Sequence, residues 1–359
     1  MTDIMRLAEG HEQVVIAAGE AAGLRCVIAI HSTALGPSLG GTRFYPYRSG
    51  NEALADALRL SKAMTYKAAA AGLDIGGGKG VIIGDPLRDK TEAVLRAYGQ
   101  VVESLGGRYY AACDVGTSPS DLAVVARETR FARGTDPAYG GSGDSAISTA
   151  AGVFLGLKAC AQFRFGTEDL AGLRVAIQGA GKVGRRLAGL LHAEKVHLTV
   201  ADIDPDAAAC VAERYAADVT TPGEIHRADA DIYSPNAMGG ALDERIIGEL
   251  RAAVVAGAAN NQLAEPGAGD RLREKGILYA PDFVISAGGL IQVVDELHPG
   301  GPSEERAAAQ VETIPKRLAG IFEMSERDGV NTDKAARRLA EDRIRAVSRI
   351  HASWTRPVP

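Results

Sequence analysis

The chain is poor in the features that would mark several function classes. Cysteine occurs four times in 359 residues, as Cys26, Cys113, Cys160 and Cys210. No pair has C-x-x-C spacing and no histidine pattern accompanies them. Neither a disulfide framework nor a metal site is expected, and free thiols in a reducing cytoplasm are. Basic charge is not in excess either: the formal net charge is -5, which calls for no nucleic-acid partner and no anionic membrane surface. The opening stretch, Met1 to Gly10, is acidic and has no apolar h-region, so a signal peptide is not expected. No uncharged apolar run approaches the roughly 18 residues of a membrane span.

What is present is the profile of a globular protein, with 46% hydrophobic and 24% charged residues. The length allows two ordinary domains and a sizeable buried core. The 43 glycines cluster at turns, which favours many tight strand-to-helix connections. Residues 13–17 and 24–30 read as strands around a turn, and 35–43 as a loop. From Glu52 a long helix carries Leu54, Ala57, Leu58, Ser61, Met64 and Ala68 along one stripe, with Asn51 as its N-cap. A helix over 91–105 stops at Gly106-Gly107, and a strand over 108–113 delivers Asp114 at its C-terminal edge. Residues 133–144, rich in glycine, read as a linker before a helix over 145–163. Beyond Leu173, strands at 174–178, 197–201, 232–233, 253–256 and 277–279 alternate with helical stretches, the pattern of a doubly wound parallel sheet. The expectation is an α/β protein of two domains. Residues 1–133 with about 330–359 form an α/β substrate-binding and oligomerisation domain, and 134–329 a Rossmann-type dinucleotide-binding domain.

Two lysines stand out. Lys79 closes the glycine run of Leu73-Asp74-Ile75-Gly76-Gly77-Gly78-Lys79-Gly80, which passes into the strand-like Val81-Ile82-Ile83. The glycines let a ligand or another backbone come close. Lys67 stands twelve residues earlier at the end of the helical pattern, one turn beyond Met64. Two amines at one glycine-lined hollow fit one that holds an anion and one that does chemistry. A Walker phosphate loop does not fit, because Leu73 stands where its first glycine belongs and Gly80 replaces the Ser or Thr after the lysine. Taken singly, Lys67 reads better as a solvated helix lysine, and Asp114 reads as well as a turn acid capping Val115-Gly116-Thr117. Convergence favours a site: a helix end, a glycine loop and a strand edge each offer one charged group.

The strongest local signal is Val175-Ala176-Ile177-Gln178-Gly179-Ala180-Gly181-Lys182-Val183-Gly184. It follows a strand and opens a helix, and Asp202 ends the next strand 23 residues after Gly179. Gly179 permits the tight turn, Gly181 the approach of a pyrophosphate, and Gly184 close helix–strand packing. A carboxylate at 202 bonds ribose hydroxyls and repels a 2′-phosphate, and Ile203 follows rather than Arg. The expected cofactor is NAD rather than NADP.

These residues resemble the signatures of the glutamate/leucine/phenylalanine/valine dehydrogenases. The likeness lies in His31-Ser32-Thr33-Ala34-Leu35-Gly36-Pro37-Ser38-Leu39-Gly40-Gly41-Thr42-Arg43, the run ending at Lys79, Ala112-Cys113-Asp114-Val115-Gly116-Thr117 and Gly257-Ala258-Ala259-Asn260-Asn261-Gln262. It runs in family order over about residues 12–297 and is closest to the branched-chain members. The resemblance implies Lys79 as general base with Asp114 shuttling protons beside it. It implies that Lys67 holds the substrate α-carboxylate, helped by Asn261 and the backbone at Gly40 and Gly41. Thr149 would bond the nicotinamide amide, and Asn260 and the backbone near Ala237 would lie along the cofactor. Leu39, Met64, Ala112, Leu290 and Val293 would wall the side-chain pocket; Met64 and Val293 read equally as core residues. A free lysine, pKa about 10.4, is almost wholly protonated at neutral pH. Burial and a neighbouring cation such as Lys67 would lower that value, while Asp114 opposes the drop.

The expected reaction is NAD-dependent, reversible oxidative deamination of a small aliphatic L-amino acid by a homo-oligomer. Leu39 stands where glutamate-specific members place a cation, and Leu290 shrinks the pocket, which favours valine over leucine. Leucine or phenylalanine dehydrogenase activity is the alternative within the family. A 2-hydroxyacid dehydrogenase would want a His–carboxylate or His–Arg pair, a context that His31, His192, His197 and His226 lack. A non-catalytic NAD-binding sensor subunit would have lost Lys79 or Asp114. Two positions depart from the family pattern: Asn236 stands in place of a usual Cys, and Ser286 in place of a usual Asn.

Overall fold

The structure is a computed structural model that describes residues 4–349. The chain divides into two compact units. One holds the chain up to Asp144 with Gln292–Glu304 and the residues from Ala340; the other holds Ser145–Ile291 and Glu305–Leu339.

The first unit is built on β1 (Gln13–Gly19), β2 (Leu24–Ser32), β3 (Ser38–Tyr45), β4 (Gly76–Ile83) and β5 (Tyr109–Cys113), in the order β1-β2-β4-β3-β5. β2 runs antiparallel to β1 and β4, and β3 parallel to β4 and β5. Successive residues of a strand face opposite sides, and the core divides accordingly. Val27, Ala29 and Val81 pack under Ala53, Leu54, Ala57 and Leu58 of the Gly50–Ala70 helix. Ile28, Ile30, Ile82 and Tyr109 pack under Tyr98 and Val102 of the Glu92–Ser104 helix and Leu122 of the Pro119–Val125 helix.

Two strands lie where loops were expected. β3 starts inside the 35–43 stretch, and the glycine run is not a loop but the first half of β4, deep in the sheet. Glycine is a poor strand former by propensity. Tertiary packing overrides it, because a β-carbon at residue 77 would sit 2.1 Å from Thr65 N, so the helix backbone lies directly on the strand. The helix itself is capped by Ser49, whose side chain accepts from Glu52 N at 3.2 Å, rather than by Asn51 in its first turn. The Pro119–Val125 helix begins with a capping box of Ser118 and Asp121, a signature the sequence itself carries.

The second unit is a six-stranded sheet of β6 (Arg174–Gln178), β7 (His197–Ala201), β8 (Asp218–Val219), β9 (Ile232–Pro235), β10 (Val254–Val255) and β11 (Leu278–Tyr279), ordered β11-β10-β9-β6-β7-β8. Every pairing is parallel. The order reverses between β6 and β9, the switch point at which doubly wound sheets bind dinucleotides. The Ala146–Phe165 helix is long and apolar enough to cross a membrane by composition. It carries Lys158 and Arg164, packs on the Lys182–Ala193 and Ile314–Asp328 helices and buries Val153, Leu157 and Cys160, the behaviour of a core helix.

Candidate active site

Alternation along the strands puts Leu39, Gly41 and Arg43 of β3 on one face with Lys79 of β4 and Ala112 of β5. The register pairs Leu39 with Gly77, Thr42 with Gly80 and Gly41 with Ala112, so Gly41 lies between Lys79 and Ala112. Asp114 follows β5, and its side chain must pass over β3 to reach β4. Gly41 opens that passage: a β-carbon there would sit 2.7 Å from Asp114 Cβ. Thr117 fixes the turn, its hydroxyl donating to Thr42 O at 2.7 Å and accepting from Asp114 N at 3.0 Å.

Lys79 Nζ donates to Asp114 Oδ2 at 2.5 Å, and Arg43 Nε donates to the same oxygen at 2.9 Å. Arg43 Nη1 donates to Asp56 Oδ2 at 2.9 Å, and Asp56 accepts further bonds from Tyr47 OH at 2.6 Å and Arg59 Nη2 at 2.7 Å. Lys79 is only 5% exposed. Burial is the main cause that holds its pKa below the ordinary lysine value; Asp114 opposes and Arg43 adds to the depression. Burial pushes Asp114 up, but Lys79 and Arg43 outweigh it, and the carboxyl lies below its usual range. A lysine of depressed pKa on an ionised carboxylate is equipped for proton transfer. A second cation on this carboxylate is Arg43, which sequence reasoning gave no role.

Met64 and Lys67 are half-buried in the last turns of the Gly50–Ala70 helix. That end of the helix rests on β4 at Gly77, two residues along the same face from Lys79, a span of about 7 Å. Leu39 and Ala112 are buried, and Ala112 Cβ and Val293 Cγ2 each lie 4.0 Å from where a β-carbon on Gly134 would be. Leu290 is buried in the second unit. In that unit Thr149 donates to Ser145 O at 2.9 Å.

The turn after β6 has a different logic at each glycine. Gly179 takes φ +102°, and a β-carbon on Gly184 would meet Gly179 O at 1.8 Å; both are demanded by the fold. A β-carbon on Gly181 would meet nothing within 4 Å, so the protein itself does not require glycine there. The Lys182–Ala193 helix starts at Gly181 with no side-chain cap, which leaves first-turn N–H groups at Lys182 and Val183 for an anion. Asp202 accepts from Ala180 N at 2.6 Å and from Asp204 N at 2.9 Å. Open space over Gly181, a bare helix N-terminus and a carboxylate at the end of β7 fit a dinucleotide.

The two departures have local roles. Asn236 donates to Ser234 O and accepts from Ala258 N, both at 2.9 Å, tying the ends of β9 and β10 together. Ser286 donates to Asp282 O at 2.6 Å within its own turn. Ala237, Asn260 and Asn261 are exposed, and Asn261 takes a positive φ of 53°. Their loop is held by Gln262, which sequence reasoning gave no role. Its side chain donates to Gly257 O at 2.8 Å and Ala259 O at 3.0 Å. Among the described residues no group of His, Cys, Asp and Glu is placed to hold a metal ion.

Residues 5–131 match the family described as Glu/Leu/Phe/Val dehydrogenase, dimerisation domain, and residues 205–348 that described as Glutamate/Leucine/Phenylalanine/Valine dehydrogenase. Leucine dehydrogenase of Bacillus cereus is 47% identical over 346 residues, covering 96% of this chain and 94% of that protein. The chain belongs to the Glu/Leu/Phe/Val dehydrogenase family. Valine dehydrogenase of Streptomyces coelicolor is 51% identical over 338 residues, 93% of this chain and 92% of that one. Among solved structures, L-tryptophan dehydrogenase from Nostoc punctiforme superposes with a TM-score of 0.83 at 44% identity, covering 96% of this chain and 98% of that one. As a member of the Glu/Leu/Phe/Val dehydrogenase family the protein is an oxidoreductase that acts on amino acids with a nicotinamide cofactor.

Proposed function

We propose that the protein catalyses NAD-dependent, reversible oxidative deamination of a small aliphatic L-amino acid, valine ahead of leucine, to the 2-oxo acid and ammonia. The observation that carries this reading is the pairing of buried Lys79 with half-buried Asp114. Lys67 and the backbone at Gly40 and Gly41 hold the α-carboxylate. Bound NAD supplies the acceptor for the hydride that leaves Cα. Asp114 takes a proton from the substrate ammonium as the hydride leaves and returns it to the departing nitrogen, while Lys79, as free amine, takes a proton from the water that adds to Cα. Leu39, Met64, Ala112 and Val293 are all uncharged, so a glutamate side-chain carboxylate among them would be buried unpaired. Valine and leucine differ by one methylene, about 1–3 kcal/mol, and relatives of both specificities support overlap. Asp202 and the exposed Ile203 beside it favour NAD over NADP.

Initial rates with L-valine, L-leucine, L-phenylalanine, L-tryptophan and L-glutamate, each with NAD and NADP, test this. Valine and leucine are expected within about 100-fold of one another in kcat/KM, with glutamate and NADP far behind. Preference for glutamate would refute the pocket assignment, and no turnover of any amino acid would favour the non-catalytic NAD-binding reading.

Self-association is part of the same proposal. β1 is the outer strand of its sheet, Gln13 to Gly19 contains neither charge nor proline, and Ile16 is exposed. Such an edge is a template for another strand. A second copy is the fitting occupant, and the description of this region as a dimerisation domain supports it. Ile16→Lys should lower the mass found by sedimentation velocity; an unchanged mass counts against this edge. The four cysteines are unpaired, which suits a reducing compartment, the cytoplasm.

A further inference from the structure

We infer that Arg43, held by Asp56, is a positioning residue for the Lys79–Asp114 pair and sets the pH range in which that pair transfers protons. The inference rests on the reading of Lys79 as the base.

Geometry carries it. Arg43 Nε and Lys79 Nζ converge on Asp114 Oδ2, while Asp114 Oδ1 makes no hydrogen bond among the described residues. Arg43 thus fixes the rotation of the carboxylate and leaves Oδ1 for a third donor, the reacting nitrogen or water. Only a planar guanidinium can do this while its other arm is engaged. Nη1 is anchored on Asp56, which the Gly50–Ala70 helix supplies and which Tyr47 and Arg59 also bind. A continuous hydrogen-bonded chain therefore runs Tyr47–Asp56–Arg43–Asp114–Lys79.

Arginine does not lose its proton, so a proton released from this cluster comes from Lys79. The charged and titratable groups that face it are Arg43 from β3, Asp114 beyond β5, and Asp56 and Arg59 from the helix, with Tyr47 in the connection between β3 and that helix; Lys67 ends the same helix. From β2 the register neighbour is the uncharged Ala29. Arg43 places a positive charge against the same oxygen and disfavours a second one on Lys79. Asp56 acts in the opposite sense, which agrees with the directions in which the two residues move the lysine. Their removal must shift the site in opposite directions, a signature that loss of packing cannot produce.

The test is the pH profile of kcat for oxidative deamination in wild type, R43Q, R43K, D56N and K79A, with circular dichroism and NAD binding as folding controls. In R43Q the acidic limb is expected to rise by about two pH units, the scale of one unit charge within about 6 Å at an effective dielectric of about 20. In D56N it falls. R43K keeps the limb close to wild type but loses several-fold in kcat, because an ammonium has no fork. Limbs that stay in place, or move the same way in R43Q and D56N, overturn the proposal. If R43Q does not fold, D56N and R43K decide it. K79A that retains turnover refutes the base assignment itself; a dead K79A beside unmoved limbs refutes only the role of Arg43 and Asp56.

Discussion

Replacing Lys79 with alanine is expected to lower kcat by about 10³-fold or more while leaving NAD binding intact. General base catalysis contributes about 10²–10⁴-fold, and 10³-fold corresponds to about 4 kcal/mol of transition-state stabilisation. The loss should fall at the upper end because half-buried Asp114 would then keep only Arg43 as a side-chain partner. The cofactor motif lies in the other compact unit, so titration of NAD by fluorescence should give an unchanged affinity. Turnover within about tenfold of wild type would remove Lys79 from the chemistry.

Gly41→Ala is expected to reduce turnover by about 10²-fold with every functional side chain still present. The new β-carbon would lie 2.7 Å from Asp114 Cβ and 2.7 Å from Cys113 O, distances no packed structure tolerates. Either β5 or the Asp114 turn must move. A displacement near 1 Å is enough for a loss of about 10²-fold, and overpacking should destabilise the fold by about 1–3 kcal/mol. A double-mutant cycle separates the causes. In a D114A background the same change should cost less than about tenfold in kcat. An undiminished penalty there would mean that Gly41 acts through its own backbone rather than by admitting the carboxylate.

The parts of the site that were legible in the sequence are those written in contiguous residues. The glycine turn from Gly179 to Gly184 and Asp202 form one βαβ unit, and β6 and β7 have the spans expected of them, Arg174–Gln178 and His197–Ala201. Local hydrogen bonding and period-2 patterning determine such elements, so a short window contains the cause. The glycine run was conspicuous but misread as a loop. Its glycines answer to the helix backbone at Thr65 and to the tyrosine rings behind the sheet, contacts that no window around residue 77 contains. Arg43 was quoted as part of a signature without a role, because its partner Asp114 is 71 residues away.

By itself the sequence determined that this chain has a dinucleotide turn, a lysine at the end of a glycine run, an acid at a strand edge and the motif order of its family. Those depend on residue type and spacing, which are properties of the linear chain. The tertiary structure alone decided that Lys79 is buried, that its carboxylate reaches it across the bare backbone of Gly41, and that Arg43 is a second cation on that carboxylate. The reason is physical: proton affinity follows from desolvation and from charges a few ångströms away, and the strand order β4-β3-β5 brings those charges together from residues far apart in the chain.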